Sequence, residues 1–133
     1  MSPRAKNRML AAGLIIGVAA LAGTLLPMLA SSEHGQGREM HIVIRDMAFY
    51  LDGAGEPNPT LVFRPGEQVR MFVRSEDAGM EHDFVVKNWK VRSDTVRGRG
   101  ETTVTIDVPR ESGTETYYCS PHPTKMRGTI RVE

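Results

Sequence analysis

Three side chains that can bind a metal ion lie close together in the stretch YYCSPHPTKM, from Tyr117 to Met126. Cys119 is the only cysteine in the chain, His122 follows it by three residues, and Met126 follows His122 by four. A thiolate, an imidazole and a thioether form a soft donor set of the kind that suits copper. The spacing therefore raises the question whether this loop holds a metal ion.

Other roles are open to a lone cysteine. Free cysteine is commonly a buried, inert side chain, and a cysteine near a histidine can be a nucleophile. Pro121 and Pro123 stiffen the loop because proline fixes φ, and a nucleophilic Cys119 would leave Met126 without a role. No Ser-His-Asp or paired-carboxylate pattern stands out in the sequence, so we predict a protein that is not an enzyme.

A blue-copper electron-transfer site combines one cysteine with two histidines and a weak axial methionine, so a second histidine is required. The chain offers His34, His41 and His82. His34 lies in a polar, glycine-rich stretch, and His41 lies within an early strand. His82 begins the run HDFVVKN directly after a loop, so it lies at the beginning of a predicted strand and at an end of the sheet to which that strand belongs. We therefore predict that His82 is the remote ligand.

Alternation of apolar and polar residues, rather than helical periodicity, dominates the sequence after residue 39. Turn signals separate the alternating runs: DGAGEPNP spans residues 52–59, and RPGE at 64–67 has proline and glycine at the central positions of a type II turn. Short alternating strands with such turns favour an all-β, antiparallel sandwich. We predict seven or eight strands, near residues 40–46, 60–64, 67–74, 82–88, 90–97, 101–108, 115–119 and 127–132.

The N-terminal part differs from the rest of the chain. Arg4, Lys6 and Arg8 precede an apolar run from Met9 to Ala30, and no acidic residue occurs before Glu33. A basic start followed by an apolar run is the layout of a secretory signal. The run is also long enough to span a bilayer as a helix.

These features divide the chain into three parts. We predict that residues 1–30 are a signal peptide or an N-terminal hydrophobic helix, and that residues 9–30 would tether an uncleaved chain to the membrane. Residues 31–39 are predicted to be a linker, and residues 40–133 one exported domain, in the periplasm or another extracytoplasmic space. The choice between cleavage and anchoring stays open.

Charge and cysteine content exclude some classes of function. The whole chain carries a net charge of +1, and loss of the three basic residues before the apolar run leaves 14 Lys and Arg against 16 Asp and Glu, or −2. The two signs are interspersed without a dense basic run, so nucleic acid is not expected to be a partner. One cysteine cannot form a disulfide scaffold.

With these residues identified, the sequence resembles the cupredoxins, the type 1 blue copper proteins. The run YYCSPHPTKMRGTIRVE is similar to the C-terminal part of amicyanin-like and plastocyanin-like members. EHDF resembles the family's upstream histidine segment, and ETTVTIDVPRESGTETYYC resembles its penultimate strands. The resemblance covers about residues 40–133 and implies a Greek-key β-sandwich.

The resemblance also implies a ligand set. His82, Cys119 and His122 would bind one copper ion in a plane, and Met126 would be its weak axial ligand. Three residues separate His122 from Met126, whereas amicyanin-like loops have two and plastocyanin-like loops have four. Asp83 occupies a position where the family often has Asn, whose hydrogen bonds tie the two ligand loops together. A carboxylate can still accept such bonds, but it adds negative charge near the metal.

The function implied by the resemblance is single-electron transfer, in which copper alternates between Cu(II) and Cu(I). The expected partners are transient redox proteins, such as exported cytochromes, quinol-oxidising complexes or copper oxidases, and the carrier is expected to be a monomer. Pro121, Pro123 and Met80 would form an apolar docking patch around His122. Two alternatives stay open: a copper delivery or buffering protein without an electron-shuttle role, and a β-sandwich interaction module without metal.

Overall fold

The computed structural model describes residues 37–133, which form eleven β-strands and one short 3-10 helix, Lys87–Trp89. The predicted N-terminal hydrophobic segment and most of the predicted linker lie outside the described residues. Among residues 37–133, we find no helix with the length and apolarity needed to cross a membrane. The strands are β1 (Arg38–Arg45), β2 (Ala48–Leu51), β3 (Leu61–Phe63), β4 (Gln68–Ser75), β5 (Glu81–His82), β6 (Val85–Val86), β7 (Val91–Arg92), β8 (Val96–Arg97), β9 (Gly100–Asp107), β10 (Gly113–Tyr118) and β11 (Arg127–Val132).

The strands form a two-sheet sandwich. One sheet has the order β2-β1-β4-β9 and the other β3-β11-β10-β6-β7, while β5 and β8 pair with each other in a small separate ladder. The prediction of an all-β Greek-key β-sandwich is confirmed. The expectation of purely antiparallel pairing is wrong, because β1 runs parallel to β4 and β3 runs parallel to β11. Alternation reports which face of a strand is buried but not the direction of its neighbour.

The core lies between the two sheets and follows the alternation in the sequence. In β4, Val69, Met71 and Val73 are fully buried, whereas the residues that alternate with them face outward. The rings of Phe49, Phe84 and Tyr117 pack against one another with centroids 5.2–5.8 Å apart. These fully buried aromatic side chains supply a large part of the apolar area removed from water.

Tyr117 also fixes the pairing of β10 with β11. Its ring lies against Gly128, the residue opposite it in the ladder, and a Cβ on Gly128 would come within 2.3 Å of the Tyr117 hydroxyl oxygen. The hydroxyl group donates a hydrogen bond to the backbone carbonyl of Pro59, at 2.6 Å. Glycine is therefore required at position 128 by the close approach of a ring.

One strand, β2, has no counterpart among the predicted strands. β1 and β2 form a hairpin whose two turn residues, Asp46 and Met47, have φ values of 50° and 56°. Positive φ at both central residues is the pattern of a type I′ turn, which favours Asn-Gly or Asp-Gly. Asp-Met is not such a signal, so the turn was not recognisable. The predicted RPGE turn is confirmed: Gly66 has φ 72°, and Glu67 N–H donates to the Arg64 carbonyl at 3.2 Å.

The predicted strands at 82–88 and 90–97 are each interrupted in the structure. Residues 81–97 contain four two-residue strands and the 3-10 helix, and Lys90 ends that helix in the left-handed region with φ 56°. Side chains replace the missing ladder bonds: Phe84 N–H donates to Ser93 Oγ at 2.9 Å. We call residues 81–97 the interrupted segment, and it carries the first of the predicted ligands.

Candidate metal centre

The structure brings together three of the four predicted ligand side chains at one point. The ligand atoms of His82, Cys119 and His122 all lie within 4.8 Å of one another. Cys119 Sγ is 3.7 Å from His82 Nδ1 and 3.6 Å from His122 Nδ1. Each imidazole thus presents the same ring nitrogen to the sulfur.

These distances fit a single bound metal ion. Zinc, a first-row metal ion of similar size, binds imidazole nitrogen and thiolate sulfur at about 2.0–2.3 Å. Two ligands of that kind at 120° around one ion are therefore about 3.5–3.8 Å apart. The two sulfur–nitrogen distances agree with that spacing, so the three residues could bind one metal ion together.

The loop between β10 and β11 positions Cys119, His122 and Met126. Cys119 N–H donates to the Met126 carbonyl at 3.0 Å, and Met126 N–H donates to the His122 carbonyl at 2.9 Å. His122 N–H in turn donates to the Cys119 carbonyl at 3.1 Å. The three residues are thus bonded to one another through their backbones. Met126 is fully buried in the same core cluster as Cys119. The loop with three residues between His122 and Met126 therefore forms all of these backbone hydrogen bonds.

His82 reaches the site from the end of β5 and is fully buried. Its Nε2 lies 3.1 Å from Asp77 Oδ2, which is ion-pair distance, but Nε2 has no hydrogen-bond partner of good geometry among the described residues. Asp77 also accepts backbone N–H bonds from Asp46 at 2.7 Å and from Met47 at 3.1 Å. One carboxylate therefore links the predicted ligand to the β1–β2 turn.

Burial controls the protonation of two of these groups in the metal-free protein. It lowers the pKa of His82 below 6.5 despite the opposing effect of Asp77, so the imidazole is neutral at pH 7 and Nδ1 can donate a lone pair. Burial also raises the pKa of the Cys119 thiol above 9.0, and the nearby Asp83 carboxylate adds to the rise. A metal ion that binds here must therefore displace the thiol proton.

A second carboxylate, Asp83, ties the two ligand segments together. Ser120, the residue after Cys119, donates its backbone N–H to Asp83 Oδ1 at 2.6 Å and its hydroxyl to Asp83 Oδ2. Arg92 Nη1 donates both to Asp83 Oδ2, at 2.7 Å, and to Ser120 Oγ, at 2.6 Å. The expectation that a carboxylate at position 83 accepts bonds from Ser120 is confirmed.

Sequence reasoning missed Asp77 and Arg92. A buried carboxylate requires a cation or several donors, so a partner for Asp83 could have been expected. Arg92 could not be chosen among the many basic residues from the sequence, because the pairing depends on the short β6–β7 ladder, in which Val85 lies opposite Arg92. The contact of Asp77 with His82 could not be predicted either, because Asp77 lies in the loop SEDAGME.

The remaining candidates lie elsewhere or at the surface. His41 is exposed and stacks on Phe72, with ring centroids 4.8 Å apart, and His34 is outside the described residues. His122 is half-buried, and Pro121 and Pro123 beside it are exposed. Met80 is 37% exposed, which is unusual for a large apolar side chain. The predicted apolar patch requires side chains that are exposed in this way.

Comparison with known proteins defines the class. Residues 57–133 match the family described as copper binding proteins, plastocyanin/azurin family. The match covers more than half of the chain, so the protein belongs to this family, the cupredoxins. Its cofactor is copper, and the thiolate, imidazole and thioether donors near one another fit that metal.

Solved structures agree on the fold. Auracyanin A, described as a blue copper protein from the green thermophilic photosynthetic bacterium Chloroflexus aurantiacus, matches with a TM-score of 0.56 and 19% identity over 71% of this chain and 98% of that one. Auracyanin B gives a TM-score of 0.59 at 16% identity, over 72% of this chain and 88% of that one. The multicopper oxidase McoA from the hyperthermophile Aquifex aeolicus gives 0.57 at 14% identity, over 74% of this chain and 30% of the oxidase. A comparison with curated protein sequences finds no match.

Proposed function

We propose that this cupredoxin carries single electrons between redox proteins outside the cytoplasm, with His82, Cys119, His122 and Met126 as the ligands of one type 1 copper ion. The observation that carries the proposal is the position of Cys119 Sγ, which lies 3.7 Å and 3.6 Å from one nitrogen of each imidazole. This donor set, with a methionine in the same loop, is that of blue-copper electron-transfer sites.

The chain's own residues support electron transfer by holding the ligands in place. When bound, copper supplies a one-electron Cu(II)/Cu(I) couple. His82 and Cys119 are fully buried, so water has little access to them. The backbone bonds of the loop and the bonds of Asp83 to Ser120 fix the ligand side chains before a metal arrives. Small rearrangement on a change of charge is what fast electron transfer requires.

His122 differs from the other two ligands in its exposure. It is half-buried and has the exposed Pro121 and Pro123 as neighbours, which makes it the natural point of contact with a redox partner. Exported cytochromes, quinol-oxidising complexes and copper oxidases are the proposed partners. Contacts of this kind are small, below about 1,200 Å² of buried area, and we propose that the carrier itself is a monomer.

We further propose that the protein has no catalytic activity of its own. A binuclear oxidase-type copper site needs a second, bridging cysteine, and this chain has one cysteine. The proposed extracytoplasmic location is supported by the basic and apolar residues at the start of the sequence. Whether residues 1–30 are removed can be read from the intact mass of the native protein.

The decisive experiment compares the Cu(II)-loaded protein with its Cys119→Ser variant by optical absorption and electron paramagnetic resonance. We expect an intense visible thiolate-to-Cu(II) band and reversible redox cycling in the wild type, and complete loss of the band in the variant. Identical spectra would contradict ligation by Cys119. A protein without the band that gives its copper readily to a chelator would instead be a delivery or buffering protein.

A further inference from the structure

We infer that Arg92 is a positioning and charge-balancing residue of the copper site. Its guanidinium group offsets the buried charge of Asp83 and helps to hold Ser120, so that the Asp83–Arg92 pair sets the reduction potential of the site. This inference rests on the proposed copper site, but it concerns residues that are not ligands. It explains how the chain accommodates a buried carboxylate beside the candidate metal site.

The geometry is a closed triangle of hydrogen bonds beside the cysteine. Arg92 Nη1 is 2.7 Å from Asp83 Oδ2 and 2.6 Å from Ser120 Oγ, and the Ser120 hydroxyl donates to the same Asp83 oxygen. Asp83 Oδ1 is held separately by the Ser120 backbone N–H, at 2.6 Å. Arg92 therefore contacts both ligand segments, since Asp83 follows His82 and Ser120 follows Cys119.

Burial makes the pairing necessary. The Asp83 side chain is 3% exposed, whereas that of Arg92 is 58% exposed. A carboxylate that has lost its water is destabilised unless donors and a cation replace it. Ser120 supplies two donors, and Arg92 supplies the only cation that pairs with Asp83 among the described residues. The exposed part of Arg92 remains solvated, so its own charge costs little to hold there.

The charge of the pair bears on the potential. A negative charge near a metal ion stabilises the oxidised, more positive state relative to the reduced state, and a nearby positive charge opposes that effect. With Arg92 in place, the Asp83–Arg92 pair has no net charge, like an amide. Without Arg92, the carboxylate would stand uncompensated beside the loop that carries the sulfur ligand, and the reduction potential would fall.

The test is a double-mutant cycle with Arg92→Gln, Asp83→Asn and the variant with both changes, loaded with copper and measured by spectroelectrochemistry. We expect Arg92→Gln to lower the potential, so that the ratio of oxidised to reduced protein at a fixed applied potential rises about threefold to tenfold. Asp83→Asn should raise the potential. In the Asp83→Asn background, Arg92→Gln should have a smaller effect, because the carboxylate that holds the guanidinium group beside the site is gone.

Arg97→Gln is the matched control. Arg97 also pairs with an acidic residue next to His82, since its Nε lies 2.7 Å from Glu81 Oε1, but both side chains are mostly exposed, at 78% and 54%. Water and salt screen such a pair, so the potential should change by much less than in Arg92→Gln. A second readout uses metal-free protein: Arg92→Gln should lower the urea midpoint of unfolding, and less so in the Asp83→Asn background.

The outcomes separate the two proposals. A wild type without the visible thiolate-to-Cu(II) band would overturn the proposed function and, with it, this inference. A wild type with the band, in which Arg92→Gln and Arg97→Gln shift the potential equally, would overturn the role of Arg92 alone. An effect of Arg92→Gln that is undiminished in the Asp83→Asn background would do the same, because Asp83 would then not be what holds the Arg92 guanidinium group beside the site.

Discussion

The long ladders of the sandwich and the interrupted segment are held together by different means. In the first sheet, β1 pairs with β4 over seven residue pairs and β4 pairs with β9 over eight. Between residues 81 and 97 each strand has only two residues, and single side chains such as Asp83 and Ser93 complete the bonding. In the ladders, many equivalent backbone hydrogen bonds hold neighbouring strands together.

The two regions therefore differ in how well they tolerate substitutions. A ladder loses little when one exposed side chain changes, because the neighbouring backbone bonds remain. The interrupted segment depends on particular contacts, and those of Asp83 also tie together the two segments that carry predicted ligands. Stability and metal-site geometry are therefore coupled in that segment and largely separate in the ladders. Substitutions in the two regions can test where stability and metal-site geometry are separate and where they are coupled.

The largest effect is expected from Gly128→Ala, inside a regular ladder. This substitution should be strongly destabilising, although ladders tolerate changes of exposed side chains. The new Cβ would overlap both the hydroxyl oxygen and the ring of the buried Tyr117, and neither the ring nor the paired strands can move away freely. Overpacking of this kind should lower the free energy of unfolding by about 3 kcal/mol, as measured by urea denaturation.

Gly113→Ala is the control for this prediction, because Gly113 lies in the same β10–β11 ladder and a Cβ there would have no heavy atom within 4 Å. We expect a change within about 0.5 kcal/mol. Equal losses in both variants would show that the ladder tolerates no added methyl group, and that the Tyr117 contact is not the cause.

Asp77→Ala should lower the free energy of unfolding by about 2 kcal/mol. It removes the acceptor for the backbone N–H groups of Asp46 and Met47 and the ion-pair contact with His82. Copper affinity should also fall, because a carboxylate next to the outer ring nitrogen orients a ligand imidazole. Urea denaturation of the metal-free protein and copper titration measure the two effects.

The adjacent Glu76→Ala is the control, since within residues 37–133 the Glu76 side chain forms an ion pair only with Arg74, at the surface, with side chains 40% and 52% exposed. It should leave copper affinity unchanged. If Asp77→Ala weakens folding but leaves copper affinity as it is in the wild type, Asp77 holds the turn and has no role in orienting His82.

A smaller effect is expected from pH, because the buried titratable groups lie at the metal centre. Burial raises the pKa of Cys119 above 9.0 in the folded, metal-free protein. Above pH 9 the unfolded chain loses this proton while the folded chain keeps it, so stability that is present below pH 9 is lost as the pH rises. The slope should be about 1.4 kcal/mol per pH unit until the folded pKa is reached.

Two other buried groups also contribute to the pH dependence of stability. Burial also raises the pKa of Tyr117 above 10.0, which adds a loss of the same sign from about one unit higher. The pKa of His82 is lowered below 6.5, so stability present above pH 6.5 is lost as the pH falls. Cys119→Ser should abolish the loss that begins near pH 9 and leave the other two; an unchanged alkaline profile would exclude Cys119 as its source.

Sequence reasoning succeeded where the information was local. Cys119, His122 and Met126 lie within eight consecutive residues, so their types and spacing alone indicated a soft metal site. His82 was found because a histidine at the start of a strand lies at the end of a sheet. The structure brings both imidazoles to Cys119, although their role as ligands stays a prediction until copper is bound and measured.

The features that were missed depend on contacts between distant segments. The parallel pairing of β1 with β4 follows from how the chain returns across the sheet, which alternation does not encode. The same holds for Asp77 and Arg92, whose partners are five residues away or more and on other elements. The type I′ turn at Asp46 and Met47 escaped notice because tertiary contacts, including those with Asp77, stabilise an unfavourable turn sequence.

The position of β11 has a consequence for the order of assembly. This strand lies between β3 and β10, although it follows them in the chain. A nascent chain that still lacks residues 127–132 cannot close the second sheet, and the Cys119 loop would have no strand to return to. Contacts of such long sequence separation fold on a timescale of about milliseconds to seconds, so the Cys119 loop is expected to reach its final position late in folding.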